Sequence, residues 1–326
     1  MQLKKQRLSA EKTVKRELSM KKLALIGVTG PKSGSVLVEY LAANAEEIKK
    51  RFPGGIVVLC REKSDTAKVS ALLPDARILR GNLKDASFLS AAFEDVDTVV
   101  HVAGIQMSSA VTDAAVEKKV RRLILVHTTG IYSKYKQAGE AYRQIDEYVE
   151  NKCRDNCILL SVLRPTMIYG NICDNNVVQF VKMVDKFPVM PVVNGARYEL
   201  QPVHYKDLGK AYYDVLVNEE ITANRNYILS GGEVLQLRDM LTEIGKNLGK
   251  KVRFFSVPFW LAFFAAWCLW LVSLKKIDYR EKVQRLCEPR TYSHEAATRD
   301  FGYAPMRFCD GIRDEVRQYL TPDENS

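Results

Sequence analysis

Short apolar runs alternate with amphipathic segments over the first half of the chain. The segments between the runs space their apolar positions three or four apart, which predicts helices at 35–52, at 85–96 with Asp85 near its N-cap, and at 136–152. The apolar runs are those expected of buried parallel strands: 23–28, 55–60, 76–81, 97–104, 122–129 and 158–165. Alternating strands and helices indicate an α/β fold with a doubly wound parallel (Rossmann) sheet. Right-handed crossovers bring the strand carboxyl ends, and a ligand, to one edge of that sheet.

The pattern changes after Pro165. Prolines and glycines make 188–202 largely loop, one further strand near 226–230 returns to the sheet, and the pattern over 235–249 predicts a helix. Two short helices flank a Gly/Pro turn at the end of the chain. We therefore expect a basic tail over 1–20, a Rossmann domain over 21–165 and a smaller, mixed α/β region over 166–326.

The segment 257–274 is the most apolar part of the sequence. It has no charged residue between Pro258 and Leu274, and it contains all three tryptophans, Trp260, Trp267 and Trp270. Lysines and an arginine flank it, as in helices that lie in a membrane interface. A buried core or dimer helix and a membrane-spanning helix are the alternatives that the sequence leaves open.

Composition and charge narrow the function. The 326 residues are 47% hydrophobic and 27% charged, which excludes a disordered chain and a multi-span membrane protein. The net charge of +10 is concentrated in residues 1–22, which hold eight cations against two glutamates. The rest of the chain is nearly balanced, so nucleic acid is not an expected partner. Seven cysteines without a CxxC pair predict free thiols in the cytoplasm, and no residues have metal-ligand spacing.

A glycine-rich turn follows the first predicted strand. Glycines at this junction let the backbone turn tightly and approach a pyrophosphate, which rests on the amino terminus of the next helix. The turn therefore predicts dinucleotide contacts at Gly27, Thr29, Gly30, Ser33 and Gly34.

The ends of the next strands bear on the choice of cofactor. An acidic residue at the end of the second strand would bind the ribose hydroxyls of NAD, whereas this chain has Arg61 there. A cation suits the 2′-phosphate, so the sequence favours NADP and leaves NAD open. Asn82 and Leu83 follow the third strand on the adenine side, and the small pair Ala103 and Gly104 lets the cofactor lie against the backbone.

Seven motifs in order give the sequence a family resemblance. They are GVTGPKSG, RGNLKD, DTVVHVAG, LILVHTTGIY, LRPTMIYGN, QPVHYKDLGKAY and FGYAP. The chain resembles the extended short-chain dehydrogenase/reductase superfamily, specifically its NAD(P)-dependent sugar-nucleotide epimerases and dehydratases. Three features depart from that pattern: one extra residue before Gly34, Asn82 in place of an Asp, and a shortened catalytic loop.

The resemblance implies a Tyr acid/base with a Lys four residues later and an orienting Ser or Thr. A nearby cation lets a Tyr act as a base near neutral pH. Position favours Thr128, Tyr132 and Lys136 over the second match, Tyr148 with Lys152. Three interpretations stay open: a working triad, Lys136 as a cofactor contact without efficient Tyr chemistry, and dinucleotide binding without chemistry.

The resemblance also implies further contacts. Lys136 and Pro165 would lie near the nicotinamide, and Tyr169, Asn171, Gln201 and His204 near the substrate. The implied function is hydride transfer at a hydroxyl of a nucleotide-linked sugar by an epimerase, dehydratase or reductase. The alternatives are a membrane-associated dehydrogenase of a lipid or sterol alcohol, and a non-catalytic NADPH sensor or scaffold. A cytoplasmic protein, peripheral at the inner membrane face, fits either enzyme, and a homodimer is compatible with the family.

Overall fold

The predicted strands form one seven-stranded sheet. The computed structural model describes residues 21–135, 139–174, 176–274, 276 and 278–321, with the side chain of Leu286 left out. The strands of these residues are, in chain order, β1 (Lys22–Ile26), β2 (Ile56–Cys60), β3 (Arg77–Arg80), β4 (Val96–His101), β5 (Arg122–Val126), β6 (Leu159–Pro165), β7 (Ile168–Tyr169), β8 (Val189–Val193), β9 (Glu199–Leu200), β10 (Val203–His204), β11 (Arg225–Leu229), β12 (Leu235–Gln236) and β13 (Arg253–Val257).

The order in the large sheet is β11–β6–β5–β4–β1–β2–β3. Hydrogen bonding is parallel in the pairs β1–β2, β1–β4, β2–β3, β4–β5 and β5–β6. Strand β1 lies inside the sheet, and its residues Leu23–Ile26 are fully buried, which explains the unbroken apolar run. The predicted doubly wound Rossmann fold is confirmed.

Helices connect the strands. Over the same described residues they are α1 (Ser33–Ala43), α2 (Ala45–Arg51), α3 (Ala67–Leu72), α4 (Ala86–Ala92), α5 (Ser108–Glu117), α6 (Gly139–Asp155), α7 (Val177–Lys186), α8 (Tyr205–Val217), α9 (Glu219–Thr222), α10 (Leu237–Asn247), α11 (Phe259–Val272), α12 (Arg280–Leu286), α13 (Glu295–Phe301) and α14 (Phe308–Leu320). Asp85 caps α4 as expected, since its carboxylate accepts from the backbone N–H groups of Ser87 and Phe88.

Two local predictions were wrong. The single helix expected over 35–52 is broken at Asn44, whose backbone is non-helical (φ −118°, ψ 33°) and whose side-chain amide donates to the Tyr40 carbonyl at 2.9 Å. The loop expected over 188–202 contains β8, which pairs in parallel with β13. Pro191 is tolerated in β8 because a two-stranded sheet has only edge strands.

The chain divides into two compact units, each with its own core. Unit 1 comprises the described residues of Met1–His127, Gln144–Leu163 and Gly209–Asn226; unit 2 comprises those of Thr128–Arg143, Arg164–Leu208 and Tyr227–Ser326. Residues such as Val99 and Leu123 fill the core of unit 1, and residues such as Val181 and Ile244 fill that of unit 2.

The apolar segment forms α11. This helix has 14 residues and so is about 21 Å long, whereas the hydrocarbon core of a bilayer is about 30 Å thick. Within the described part of the chain, no helix has the length and apolar composition needed to cross a membrane.

Candidate dinucleotide and catalytic sites

The glycine turn of unit 1 begins with Gly27, directly after β1. Its φ of +85° lies in the left-handed region, which favours glycine. A Cβ on Gly27 would stand 2.6 Å from the backbone nitrogen of Ala103, which follows β4. Gly27 therefore allows the backbones after two neighbouring strands to approach each other, and it fixes the floor of the turn.

Gly34, the second residue of α1, packs against the same turn. A Cβ at Gly34 would be 2.4 Å from the Gly27 carbonyl oxygen, so α1 packs directly on the turn. The N-cap residue Lys32 makes no side-chain capping hydrogen bond, and the first turn of α1 has no acidic residue. Ser33 is buried at the start of this helix. Uncapped N–H groups and the positive end of the helix dipole make this terminus suited to an anion.

Gly30 differs from its neighbours in the motif. No heavy atom lies within 4 Å of the position that its Cβ would occupy, and its φ is outside the left-handed region. The protein's own packing therefore gives no reason for a glycine at this position. A pyrophosphate that approached the backbone between Thr29 and α1 would supply one.

Two arginines lie where β2 and β3 end. Arg61 is exposed directly after β2, as the sequence predicted. Arg80, the last residue of β3, holds the loop that carries Arg61. Its guanidinium donates to the carbonyls of Glu62 (2.9 Å) and Ser64 (2.8 Å) and to the hydroxyl of Thr66 (2.9 Å). Sequence reasoning missed Arg80, although a cation that ends the strand next to β2 was a usable signal.

The segment after β3 is fixed by its own contacts. The side-chain oxygen of Asn82 accepts from the Lys84 N–H at 3.0 Å, and Leu83 packs against the core of unit 1. A Cβ at Gly81 would lie 2.5 Å from the Phe88 ring, so a larger residue there would have to displace that ring. An adenine contact at Asn82 and Leu83 would therefore involve mainly backbone atoms.

His101 shapes the turn after β4. Its ring is fully buried, and burial lowers its pKa to about 4, so the imidazole is neutral at physiological pH. Its Nε2 lies 3.0 Å from the carbonyl oxygen of Gly104 and donates to it in the matching tautomer. Gly104 has a φ of +100°, which a side chain would disfavour. The histidine thus supports the backbone of Ala103 and Gly104 and is not placed for acid–base catalysis.

His127, which directly follows β5, has a contact at each ring nitrogen. Nδ1 lies 2.6 Å from an Asp146 carboxylate oxygen, and Nε2 lies 3.0 Å from the Ser108 hydroxyl. All three side chains are buried in unit 1. A serine, histidine and aspartate in this order have the connectivity of a hydrolytic triad. Here they join the residue after β5 to α5 and α6, and the buried serine cannot meet a substrate.

The catalytic candidates follow β5 and belong to unit 2. The Thr128 hydroxyl accepts from the Gly130 N–H at 3.0 Å and so caps the short 3₁₀ helix that ends at Tyr132. Tyr132 is half exposed, and its ring packs on Tyr292 at 5.6 Å between centroids. Lys136, which the sequence assigns to both catalysis and cofactor binding, lies outside the described residues.

A distant carboxylate holds the loop after Tyr132. One oxygen of Glu288 accepts from the Ser133 hydroxyl at 2.6 Å, and the other accepts from the Lys134 N–H at 2.8 Å. Glu288 also raises the pKa of Tyr292, although burial of the Tyr292 ring is the larger cause. Sequence reasoning missed both residues, since nothing local links them to a loop more than 150 positions earlier.

The competing YxxxK pair has other partners, all in unit 1. The Tyr148 hydroxyl donates to a carboxylate oxygen of Asp113, and Lys152 lies 3.5 Å from the same oxygen. The hydrogen bond to Asp113 raises the pKa of Tyr148, so even less of this tyrosine is ionised and able to accept a proton near neutral pH. The pair belongs to a surface charge cluster, which disfavours Tyr148 as a catalytic base.

The predicted substrate residues lie in unit 2, and most are structural. Tyr169 and His204 are buried with their rings 5.1 Å apart. Buried Gln201 uses both ends of its amide: it donates to the Gly231 carbonyl at 2.9 Å and accepts from the Tyr292 N–H at 3.0 Å. These contacts disfavour a direct role in substrate binding for the three side chains.

The remaining predicted residues are parts of turns. The half-buried Asn171 accepts from the Cys173 N–H at 2.8 Å. The carbonyl of Pro165 accepts from the Thr129 hydroxyl at 3.1 Å, which joins the end of β6 to the loop after β5.

Comparisons with known proteins agree with this architecture. The profile of the NmrA-like family matches residues 19–266. The chain is similar to the dTDP-glucose 4,6-dehydratase of Streptomyces venezuelae, solved with NAD bound (20% identity, 93% of this chain and 97% of that one, TM-score 0.68). It is also similar to the UDP-glucose 4-epimerase of Thermotoga maritima, solved with UDP-glucose (14%, 92% and 99%, TM-score 0.66). A third similar structure is a UDP-glucuronic acid 4-epimerase variant of Bacillus cereus, solved with NAD (15%, 92% and 99%, TM-score 0.69). The curated proteins gave no significant match. At these identities, the structural likeness shows the fold.

Proposed function

Because the chain belongs to the NmrA-like family, within the extended short-chain dehydrogenase/reductase superfamily, we propose that unit 1 binds a nicotinamide dinucleotide for hydride transfer to or from a small molecule. The observation that carries the proposal is the turn Gly27–Gly34. Two of its glycines are explained by close backbone packing, whereas no contact of the protein itself explains Gly30, where a bound pyrophosphate would. The uncapped start of α1 would hold the pyrophosphate.

We assign the cofactor as NADP. The exposed guanidinium of Arg61 would bind the 2′-phosphate, and Arg80 would support it by fixing the loop over residues 62–66. No acidic residue stands at the position of Arg61 to bind the 2′-hydroxyl of NAD. Arginine suits a phosphate because its planar guanidinium can donate two parallel hydrogen bonds.

The proposed chemistry takes place at a carbon that bears a hydroxyl group. When bound, the nicotinamide supplies a hydride acceptor or donor. Tyr132 takes the hydroxyl proton as the carbinol is oxidised and returns it in the reverse direction. Lys136, assigned from the sequence, would stabilise the phenolate by its charge, and Thr128 would orient the substrate hydroxyl through the proton that its own hydroxyl can donate.

The proposed substrate is a nucleotide-linked sugar. The similar dehydratase and epimerases act on such sugars, as their names state. A lipid or sterol alcohol would use the same proton and hydride steps. A panel of both substrate classes therefore separates these alternatives.

A non-catalytic dinucleotide sensor is the second candidate function. Only three residues separate Thr128 from Tyr132, and the Thr128 hydroxyl is already engaged in capping its own turn. NmrA-like proteins include members without catalytic activity. A sensor would bind NADPH and NADP⁺ with different affinities and turn over neither class of substrate.

Calorimetric titration tests the cofactor assignment. Arg61→Glu should weaken NADPH binding at least about 10-fold, because a hydrogen bond to a charged group contributes about 1.5–3 kcal/mol. NADH binding should change much less. Arg77→Glu is the matched control. Arg77 is also exposed, but it is the first residue of β3 and so lies at the amino ends of the parallel strands, away from Arg61 at their carboxyl ends. Equal losses for NADPH and NADH would refute the phosphate role, and no binding of either would refute the function.

Turnover tests the chemistry. Tyr132→Phe should abolish reduction or epimerisation of an active substrate without affecting NADPH affinity, whereas Tyr148→Phe should leave both unchanged. Wild-type activity in Tyr132→Phe would exclude this tyrosine as the acid/base. NADPH binding without turnover of any UDP-sugar, dTDP-sugar or 3β-hydroxysterol would favour the sensor.

A further inference from the structure

Helix α11 of unit 2 exposes a continuous apolar face. At about 100° per residue, one arc of about 140° contains six apolar side chains, each more than two-fifths exposed. These residues define the exposed face of α11: Trp260, Leu261, Phe264, Trp267, Leu271 and Val272. Val272 is 83% exposed and Trp260 68%. A contiguous apolar patch of this kind marks an interaction surface on a soluble domain.

The opposite side of α11 is packed against its own unit. Ala266 is buried there, and Trp270 lies on the same side with the Arg280 guanidinium 4.1 Å from its ring centroid. Asp278 holds that guanidinium through two hydrogen bonds of 3.0 and 2.7 Å. The helix therefore has a defined orientation, with one side fixed by packing and the other turned to solvent. This arrangement excludes the buried-core alternative for the helix.

We propose that the exposed face of α11 inserts into the interface of an anionic lipid membrane. The charges around the helix are complementary to such a surface, because residues 250–285 carry eight cations against two carboxylates. Lys251, Arg253 and Lys276 are exposed at the two ends of the apolar segment. Cations that flank a Trp-bearing apolar face are typical of helices in the membrane interface.

The same charges argue against the other occupants of this face. A second copy docked through α11 would bring two strongly cationic segments together, which like-charge repulsion opposes. Residues 1–20 also carry a net positive charge, and residues 322–326 are polar and acidic without an apolar anchor. An anionic lipid surface meets both the apolar and the charge requirement. The proposal is independent of the dinucleotide function.

The tryptophans give a direct test, because all three of the protein's tryptophans lie in α11. Single-Trp proteins, made by Trp→Phe changes at the other two positions, are mixed with phosphatidylcholine vesicles containing about one-third phosphatidylglycerol. Emission of the Trp260-only and Trp267-only proteins should shift to the blue and be quenched by brominated lipid. Emission of the Trp270-only protein should change much less, because Trp270 packs under Arg280. Unchanged emission in all three proteins would overturn the proposal.

Co-sedimentation of matched variants with vesicles tests which residues bind the membrane. Val272→Glu should abolish binding, whereas Val234→Glu should not, since Val234 is also half exposed but lies outside α11. Lys251→Gln with Arg253→Gln should weaken binding about 30-fold, from about 1 kcal/mol for each cation near the surface. Vesicles of phosphatidylcholine alone should bind much less. A lipid-free dimer in analytical ultracentrifugation that Val272→Glu dissociates would identify a second copy as the occupant and overturn the proposal.

Discussion

Two glycines three positions apart should respond differently to an added side chain: one substitution should lower the stability of the fold, and the other should lower the affinity for the cofactor. Gly27→Ala places a Cβ 2.6 Å from the backbone nitrogen of Ala103, at a φ of +85°. The left-handed conformation costs about 1–2 kcal/mol for alanine. Overpacking adds about 1–3 kcal/mol, because the strand ends must separate. We expect a loss of about 3 kcal/mol in the free energy of unfolding, which corresponds to roughly 6–12 °C in Tm for a large domain.

Gly30→Val should leave the fold intact and remove cofactor binding. The added Cβ meets no heavy atom within 4 Å, and the backbone is not in the left-handed region. The valine side chain also restricts the unfolded chain, which adds about 0.4–1 kcal/mol to the free energy of unfolding and offsets any small strain in the folded state. Tm without ligand should therefore change by no more than about 2 °C. The isopropyl group would stand where the pyrophosphate approaches the backbone, so NADPH affinity should fall at least about 100-fold.

Thermal denaturation without ligand and calorimetric titration with NADPH measure the two effects separately. Wild-type affinity in Gly30→Val would show that the cofactor does not pass this position. A loss of stability in Gly30→Val as large as that in Gly27→Ala would refute the conformational argument. The pair is informative because one glycine is assigned to the fold and the other to the ligand.

Two further predictions concern buried charges. Arg122, buried in unit 1, donates to the carbonyls of Leu216 (2.8 Å) and Val215 (2.7 Å). Arg122→Met should therefore lower the free energy of unfolding, measured in urea, by about 3 kcal/mol. A decrease below about 1 kcal/mol would contradict this. In unit 2, burial raises the pKa of Glu315, which accepts from the Gly170 N–H at 2.7 Å. The unfolded chain then ionises first, so this group's contribution to the free energy of unfolding falls as pH rises above its usual pKa of 4.5. Glu315→Gln should remove that fall, by up to about 1.4 kcal/mol per pH unit, in urea titrations between about pH 5 and 8; parallel pH profiles for the two proteins would refute the assignment.

Strands buried on both faces were predictable, because the interior of a parallel sheet needs unbroken apolar runs such as Leu23–Ile26. The pair β8–β13 was not, because each strand is only half buried and one contains a proline. The break at Asn44 also escaped prediction, since the apolar period continues across it. The local sequence pattern indicates which residues are buried and which conformations they prefer. The β8–β13 pair and the break at Asn44 depend instead on which strands pair and on individual backbone dihedral angles.

The candidate sites show the same division. The residues around Gly27 and Arg61 could be proposed from the sequence, because they lie directly after predicted strands, where a dinucleotide site is expected. Glu288 and Tyr292 were not found, because their contacts to the loop after β5 join residues that are far apart in sequence.

The glycine turn shows what the sequence could not separate. Gly27, Gly30 and Gly34 are equivalent letters in one motif, and the motif alone assigns all three to the cofactor. The structure gives Gly27 and Gly34 reasons inside the protein, since their added Cβ atoms would strike backbone at 2.6 and 2.4 Å. Only Gly30 lacks such a reason. A chain that had kept the Rossmann turn but lost its ligand would still need Gly27 and Gly34, while Gly30 would be free to vary. The glycine at position 30 is therefore the residue of this turn that argues most directly for a bound dinucleotide.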